Sequence, residues 1–202
     1  MITKAHISDG NIKTGAIRSA SLPPRVTCPV CECWHKCYAE KICRLRPNVR
    51  RSYDENLEFY RADPAGYFES IEREILKRGD RFFRFHVSGD IPDRRYFVCM
   101  ADLADVLPDT TFLVFTKRYA YVNDYIIGGG RIPSNLKIIF SAWSHYTRPE
   151  NPYNLPVAEV VLKGETPAPD WFRCGGNCTR CAACGVGCWA LKNGQTIAFY
   201  EH

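Results

Sequence analysis

The chain has 202 residues, a formal net charge of +5 and eleven cysteines. That length supports a full hydrophobic core without disulfides, and an odd number of cysteines cannot all pair within one chain. No stretch approaches the eighteen apolar residues of a membrane span, and the first residues lack the apolar run of a secretory signal, so we expect a cytoplasmic protein. In a reducing cytoplasm, clustered cysteines bind metal or perform redox chemistry more often than they form disulfides.

The first part of the chain predicts one short strand and two helices. Residues 15–22 have the pattern of a strand, and the helices are predicted over residues 50–62 and 65–79. Pro64 suits the first turn of the second helix, and Gly79 suits its end.

From residue 81 onward, apolar runs alternate with helical patterns. The predicted strands cover residues 81–89, 110–117, 136–143 and 157–164, with helices over residues 92–107 and 121–129. Continuous apolar runs are typical of parallel strands that are covered on both faces, so the fold class is α/β. We expect residues 1–166 to form one α/β unit and residues 167–202 to form a cysteine-rich extension packed on it, which ends in a strand.

Polar side chains follow three of the predicted strands. His86, Ser88, Gly89 and Asp90 end the first of these strands, and Lys117 ends the second. His86, Ser88 and Asp90 share one face if the strand continues that far. Residues at the carboxyl ends of parallel strands meet at one edge, which predicts a shared site there. His145, after the third strand, is a weaker candidate, because a lone histidine is usually a structural hydrogen-bonding residue.

The richest motif lies near the carboxyl terminus. Cys178, Cys181, Cys184 and Cys188 follow the spacing C-x2-C-x2-C-x3-C, which is the spacing of the bacterial ferredoxin run. Cys174 lies four residues before this run and is a competing ligand. These five thiols predict a metal centre.

A second group of cysteines lies between residues 28 and 43 and is less regular. It contains one C-x3-C step, from Cys33 to Cys37, and it also includes Cys28, Cys31 and Cys43. C-x2-C pairs commonly bind structural zinc, so zinc remains the alternative metal. Ten clustered cysteines exceed the eight of two four-thiolate zinc sites, and on that count we favour iron–sulfur clusters. Cys99 has the position of a core residue on a helix.

Basic residues dominate the stretch from Lys36 to Arg51. This stretch contains six lysines and arginines in total and a single glutamate. The pattern is compatible with a nucleic-acid-binding patch, and the alternative is a solvated helical face.

Several segments in a fixed order resemble a known family. They are SLPPRVTCP, KCYAEK, RPNVRRSYDENL, RFHVSGD, TFLVFTK and the final cysteine run followed by TIAFYEH. Over residues 19–202 the chain resembles the phage gene product 88 family. The resemblance implies a phage protein that acts in the host cytoplasm, and it implies no specific reaction.

A weaker resemblance connects the chain to radical S-adenosylmethionine (SAM) proteins. It rests on a cysteine loop that precedes the helices and on the SGDIP turn, which is similar to the GGEP turn of that group although Ser88 and Asp90 replace Gly and Glu. The C-x3-C-x2-C spacing of that group is absent.

This second resemblance implies a partial (β/α) barrel with a cysteine-rich carboxyl-terminal lobe. It implies a 4Fe–4S cluster on Cys28, Cys33 and Cys37, with Cys31 as the alternate ligand, and an auxiliary cluster on the later cysteines. It further implies S-adenosylmethionine contacts near His86, Ser88, Gly89, Asp90 and Lys117. The functional hypotheses are therefore a redox or SAM-dependent enzyme, a non-catalytic iron–sulfur protein, or a zinc-stapled nucleic-acid-binding scaffold.

Overall fold

A computed structural model describes residues 2–143 and 148–201. It contains an eight-stranded sheet in the order β1-β2-β3-β4-β5-β6-β8-β7. The strands are β1 Ile7–Ser8, β2 Arg18–Ala20, β3 Phe82–Phe85, β4 Thr111–Thr116, β5 Leu136–Trp143, β6 Val157–Val161, β7 Phe172–Arg173 and β8 Thr196–Tyr200. Only the β1–β2 pair is antiparallel among the described strands. The carboxyl ends of the parallel strands therefore lie along one edge of the sheet.

Six α-helices accompany the sheet in the described part of the chain. They are α1 Tyr38–Leu45, α2 Pro47–Ala62, α3 Pro64–Arg78, α4 Arg94–Val106, α5 Tyr119–Ile127 and α6 Cys178–Ala183. Asp63 caps α3 by accepting a hydrogen bond from the Gly66 N–H, and Gly79 ends α3 in the left-handed conformation. Asp93 caps α4 by accepting from the Tyr96 N–H.

Helices α2–α5 cover one face of the sheet and form the larger core with it. Phe83 and Phe85 of β3 are fully buried in this core, where they contact Phe112 of β4 at ring-centroid distances of 6.0 and 5.8 Å. Tyr67 of α3 and Tyr96 of α4 are also fully buried there. Strand alternation places the neighbours of the phenylalanines, Phe82 and Arg84, on the opposite face.

The cysteine-rich segment packs against that opposite face. Cys188 and Trp189 are buried against Leu113 of β4 and Ile139 of β5 in a second, smaller core. The Trp189 ring also contacts Phe82, with ring centroids 5.1 Å apart. The sheet is thus covered by helices on one side and by the carboxyl-terminal cysteines on the other.

The structure confirms the mixed α/β class and the parallel sheet. It does not show a barrel, because the strand order is open and runs from β1 to β7 without closure. The predicted strand over residues 81–89 is too long, since β3 ends at Phe85. Helices α1 and α6 were not expected from the sequence. His145 lies outside the described residues. None of the helices in the described part of the chain is long and apolar enough to cross a bilayer.

Candidate functional site

The first cysteine loop leaves β2 and lies over the carboxyl ends of β3 and β4. The Arg118 Nη2 donates to the Thr27 carbonyl oxygen at 2.9 Å, and the Arg25 Nη2 donates to the Trp34 carbonyl oxygen at 2.7 Å. The Tyr38 hydroxyl donates to the carbonyl oxygen of Val87. These contacts fix the loop at the edge where the sequence predicts a shared site.

The turn Ser88-Gly89-Asp90 packs tightly under this loop. Gly89 has a φ of +78°, and a Cβ placed there would lie 2.6 Å from the Leu22 carbonyl oxygen and 2.7 Å from the Thr27 Oγ1. The Asp90 N–H donates to the same Thr27 Oγ1 at 3.0 Å. Only glycine allows so close an approach in this backbone conformation. The turn therefore determines where the cysteine loop begins.

Asp90 links the turn to the end of β4. Its buried carboxylate accepts hydrogen bonds from the Thr116 Oγ1 at 2.6 Å, the Lys117 N–H at 2.9 Å and the Ile91 N–H at 2.8 Å. Burial raises the pKa of Asp90, and these hydrogen bonds oppose the shift. Beside it, the Ser88 Oγ is buried and has no hydrogen-bond partner among the residues that the structure describes.

His86 points away from this edge and into the helix-side core. Its φ of +58° ends the strand, so the condition under which His86, Ser88 and Asp90 would share one face is not met. The His86 Nε2 lies 3.2 Å from the Tyr96 hydroxyl, while Nδ1 is buried and finds no hydrogen-bond partner in the described part of the chain. Burial, with a smaller contribution from Arg84, lowers the pKa of His86 to about 3, so the imidazole is neutral at physiological pH.

Four thiols of the first loop lie near one another. The Cys31 and Cys33 Sγ atoms are 2.8 Å apart, and this contact lowers the pKa of Cys31 and raises that of Cys33. Burial raises the pKa of Cys28 to about 11, and Asp90 and the thiols of Cys33 and Cys37 add to the shift. We call the set Cys28, Cys31, Cys33 and Cys37 the N-terminal thiol group.

Lys117 faces this group from the end of β4. Burial disfavours its charged form, but Cys33, Cys31 and Asp90 outweigh the burial, and the pKa of Lys117 is raised. The thiols of Cys33 and Cys31 and the carboxyl group of Asp90 are thus near enough to stabilise the charged form of Lys117.

The carboxyl-terminal cysteines form a second group on the face of the sheet opposite helices α2–α5. The Cys174 N–H donates to the Ala198 carbonyl oxygen at 3.1 Å and the Cys178 N–H to that of Lys13 at 3.0 Å, so strand β8 and a segment near the amino terminus hold the beginning of the motif. Burial and then Cys174 raise the pKa of Cys188 to about 12. Burial followed by the neighbouring thiols also raises the pKa of Cys181. The C-terminal thiol group is Cys174, Cys178, Cys181, Cys184 and Cys188, of which Cys184 is exposed.

Arg84 of β3 faces the C-terminal thiol group. Its Nη1 lies 3.8 Å from the Cys178 Sγ, and its guanidinium lies 4.9 Å from the ring centroid of Phe115. Its Nε is buried and has no hydrogen-bond partner within residues 2–143 and 148–201. Across residues 2–143 and 148–201, Arg84 forms no ion pair with a carboxylate. Sequence reasoning missed this residue, although one arginine inside the apolar run RFFRFHV was the available signal.

The described thiols are not arranged as a complete metal-binding site. Within the described ranges, no three cysteine, histidine, aspartate or glutamate side chains are arranged to hold a metal ion. Cys43 is buried on α1, and Cys99 packs against the helix-side core from α4. These two thiols have the positions of core residues.

A cavity of about 210 Å³ adjoins the N-terminal thiol group. Its walls include Cys31 and Glu32 of the loop, Lys117 after β4, and Ser141 and Trp143 of β5. The cavity lies at the carboxyl edge of the sheet, where parallel α/β proteins bind their ligands.

Part of the basic stretch from Lys36 to Arg51 is neutralised. Lys36 pairs with Glu201, and Arg50 pairs with Glu40 at 3.6 Å and with Asp54 at 3.0 Å. The remaining cations of this stretch are exposed and have no ion pair within the described residues: Lys41, Arg44, Arg46 and Arg51.

Comparison with known proteins gives one match. A family model described as Gene product 88 matches residues 3–187, which is most of the chain. No curated protein and no solved structure matches the chain significantly.

Proposed function

The chain belongs to the Gene product 88 family of phage proteins, and we propose that it is an iron–sulfur protein with two thiolate-bound centres. The N-terminal centre uses Cys28, Cys33 and Cys37, with Cys31 as the alternate ligand. The C-terminal centre uses ligands from the C-terminal thiol group. One observation carries the proposal: each thiol group is faced by one cation from the central strands, Lys117 in the first case and Arg84 in the second.

The reason lies in charge compensation. A partly buried cation without a counter-ion is costly, and a protonated thiol does not supply a negative charge. The argument applies in full to Arg84, which pairs with no described carboxylate, and less to Lys117, because Asp90 lies near it. Cysteine thiolates bound to a metal are deprotonated, and several thiolates around one centre leave it anionic. The raised pKa values of Cys28 and Cys188 keep these thiols protonated in the metal-free chain, so metal binding would release protons from them.

The charge argument alone fits zinc as well as iron. The ferredoxin-type spacing of the C-terminal group supports iron, and so does the number of clustered thiols. In this reading an iron–sulfur cluster supplies one-electron chemistry, while Lys117 and Arg84 balance the negative charge and the apolar neighbours of Cys188 exclude water.

Metal analysis of anaerobically purified protein tests the proposal. We expect a brown protein with iron and sulfide in equal amounts and little zinc. The double variant C178S/C181S should lose the iron of one centre, whereas the C28S/C33S variant should lose the iron of the other. The C99S variant is the matched control and should retain both. A folded, colourless protein that contains only zinc or no metal would contradict the proposal.

S-adenosylmethionine-dependent chemistry is a second candidate function. A packing contact favours it. The cysteine loop follows β2, the first of the parallel strands, and packs directly on the turn that contains Gly89, which follows the next strand, β3. The test is anaerobic incubation of the iron-loaded protein with S-adenosylmethionine and dithionite. Formation of methionine and 5′-deoxyadenosine, lost in C28S/C33S and retained in C178S/C181S, supports this function. Absence of both products from fully loaded protein would leave an electron-transfer protein.

A further inference from the structure

Helix α1 presents an exposed apolar stripe beside the N-terminal thiol group. Tyr38, Ile42 and Leu45 follow the spacing i, i+4, i+7 and therefore lie along one side of the helix. They are 60, 42 and 65 % exposed, while Ala39 and Cys43 on the other side are buried. The helix begins at the residue directly after Cys37, so the stripe starts beside a proposed cluster ligand.

Unpaired cations border this stripe. Lys41 and Arg44 lie on α1 itself, and Arg46 and Arg51 lie at and beyond its carboxyl end. No carboxylate in the described residues forms an ion pair with any of these four, in contrast to Lys36 and Arg50. An apolar strip within a positively charged rim is complementary to a protein surface with a negatively charged rim.

We propose that this α1 face is the docking surface for an acidic one-electron carrier protein that exchanges electrons with the N-terminal centre. The inference rests on the proposed iron–sulfur function and adds the partner. In the productive step the carrier loses one electron and the cluster gains it, with no bond made or broken in the chain. Electron-transfer complexes are small and transient, which fits a surface the size of one two-turn helix.

The apolar stripe argues against nucleic acid as the occupant. Nucleic-acid interfaces are strongly polar and positively charged because they contact phosphates. Ile42 and Leu45 lie among the cations, and their aliphatic side chains cannot form a hydrogen bond or an ion pair with a phosphate. Aliphatic side chains exposed at that point gain free energy only when another protein surface covers them.

Stopped-flow reduction by a flavodoxin, used as the acidic probe, tests the inference. Iron-loaded protein is mixed anaerobically with reduced flavodoxin, and bleaching of the cluster absorption is followed at several ionic strengths. The charge-reversed variant K41E/R44E should be reduced about tenfold more slowly at low salt and should show a shallower salt dependence. The variant I42S/L45S should also be slower, with the salt dependence of the unmodified protein.

The matched control is K77E/R78E, which makes the same charge change on exposed residues at the end of α3. It should be reduced at the rate of the unmodified protein. Equal dithionite reduction and equal circular dichroism in all variants establish that the clusters and the fold are intact.

The failure of the inference and that of the proposed function are distinguishable. If dithionite reduces every variant alike but flavodoxin reduces K41E/R44E as fast as the control, the docking surface is wrong and the iron–sulfur proposal stands. If K41E/R44E instead loses tight, salt-dependent binding to a labelled DNA duplex while its reduction by flavodoxin is unchanged, the surface binds nucleic acid. If no cluster is present to be reduced, both proposals fail.

Discussion

Acidification should destabilise this protein through His86. The imidazole is buried, its Nε2 lies beside the Tyr96 hydroxyl, and its Nδ1 has no hydrogen-bond partner among the described residues. Burial, with a smaller contribution from Arg84, lowers its pKa from 6.5 to about 3. Below pH 6.5 the unfolded chain therefore binds a proton that the folded chain does not, so falling pH favours unfolding. Between pH 7.5 and 5.0 these two pKa values correspond to a loss of about 2 kcal/mol, at about 1.4 kcal/mol per unit.

The variant H86N isolates this contribution. Asparagine tolerates the left-handed φ of +58° at this position and is not titratable. Urea unfolding of both proteins, prepared with equal metal content, gives the free energy of unfolding at each pH. The difference between the two proteins should change by about 2 kcal/mol from pH 7.5 to 5.0, with the unmodified protein losing more stability. Other groups, including Asp90 whose raised pKa acts in the opposite direction, cancel in this difference. A difference that stays constant with pH would show that the pKa of His86 in the folded chain equals its unfolded value of 6.5, and a change of opposite sign would show a raised pKa; either result refutes the reasoning.

Three further predictions follow from the packing. The G89A variant should lose at least about 2 kcal/mol of stability and also the iron of the N-terminal centre. The reason is that an alanine at this position has an unfavourable φ and its Cβ comes too close to the Leu22 carbonyl oxygen. Unchanged thermal stability would contradict this prediction. The F83A variant should lose about 3–5 kcal/mol in urea unfolding, whereas F172A, at an exposed ring, should change stability by less than about 0.5 kcal/mol. The C99S variant should keep its iron content, and a loss of iron would place that thiol in a metal centre.

The sequence predicts those elements whose ends are marked by local chemistry. Helix α3 is bounded by Pro64 and Gly79, which act as start and stop signals within their own few residues, and the structure places the helix between them. Strand β5 is a continuous apolar run, and its observed bounds are the predicted ones, Leu136–Trp143. In both cases the information lies within the element itself.

The errors lie where distant contacts decide the conformation. Alternation alone extends β3 to residue 89, but His86 turns out of the strand towards Tyr96 of α4, which no local pattern reveals. The short helices α1 and α6 have too few turns for a clear apolar period. The first turn of α6 is fixed in part by the Cys178 N–H, which donates to the carbonyl oxygen of Lys13 near the other end of the chain.

The candidate site also contains some features that the sequence predicts and others that only the fold reveals. The two thiol groups follow from spacing, because cysteines within one short segment lie in the same region of the fold. The cations that face them cannot, because Arg84 and Cys178 are 94 positions apart in sequence and meet only through the fold. Asp90 likewise is a polar residue at a strand end in the sequence, but in the structure three donors from the turn and from β4 surround its carboxylate.

Strand β3 shows why one short segment influences both the core and the proposed chemistry. Phe83 and Phe85 are directed into the helix-side core, and Arg84 between them is directed to the opposite face and the C-terminal thiols. If the thiols were inert, an aliphatic residue at position 84 would pack against Phe115 at less cost than a guanidinium with an unpaired Nε. In the proposed iron–sulfur protein, an anionic centre beside Cys178 would lower that cost, because it would supply the counter-charge that the described carboxylates do not. Under the iron–sulfur proposal, Arg84 therefore acts as the counter-charge of a metal-bound C-terminal thiol group.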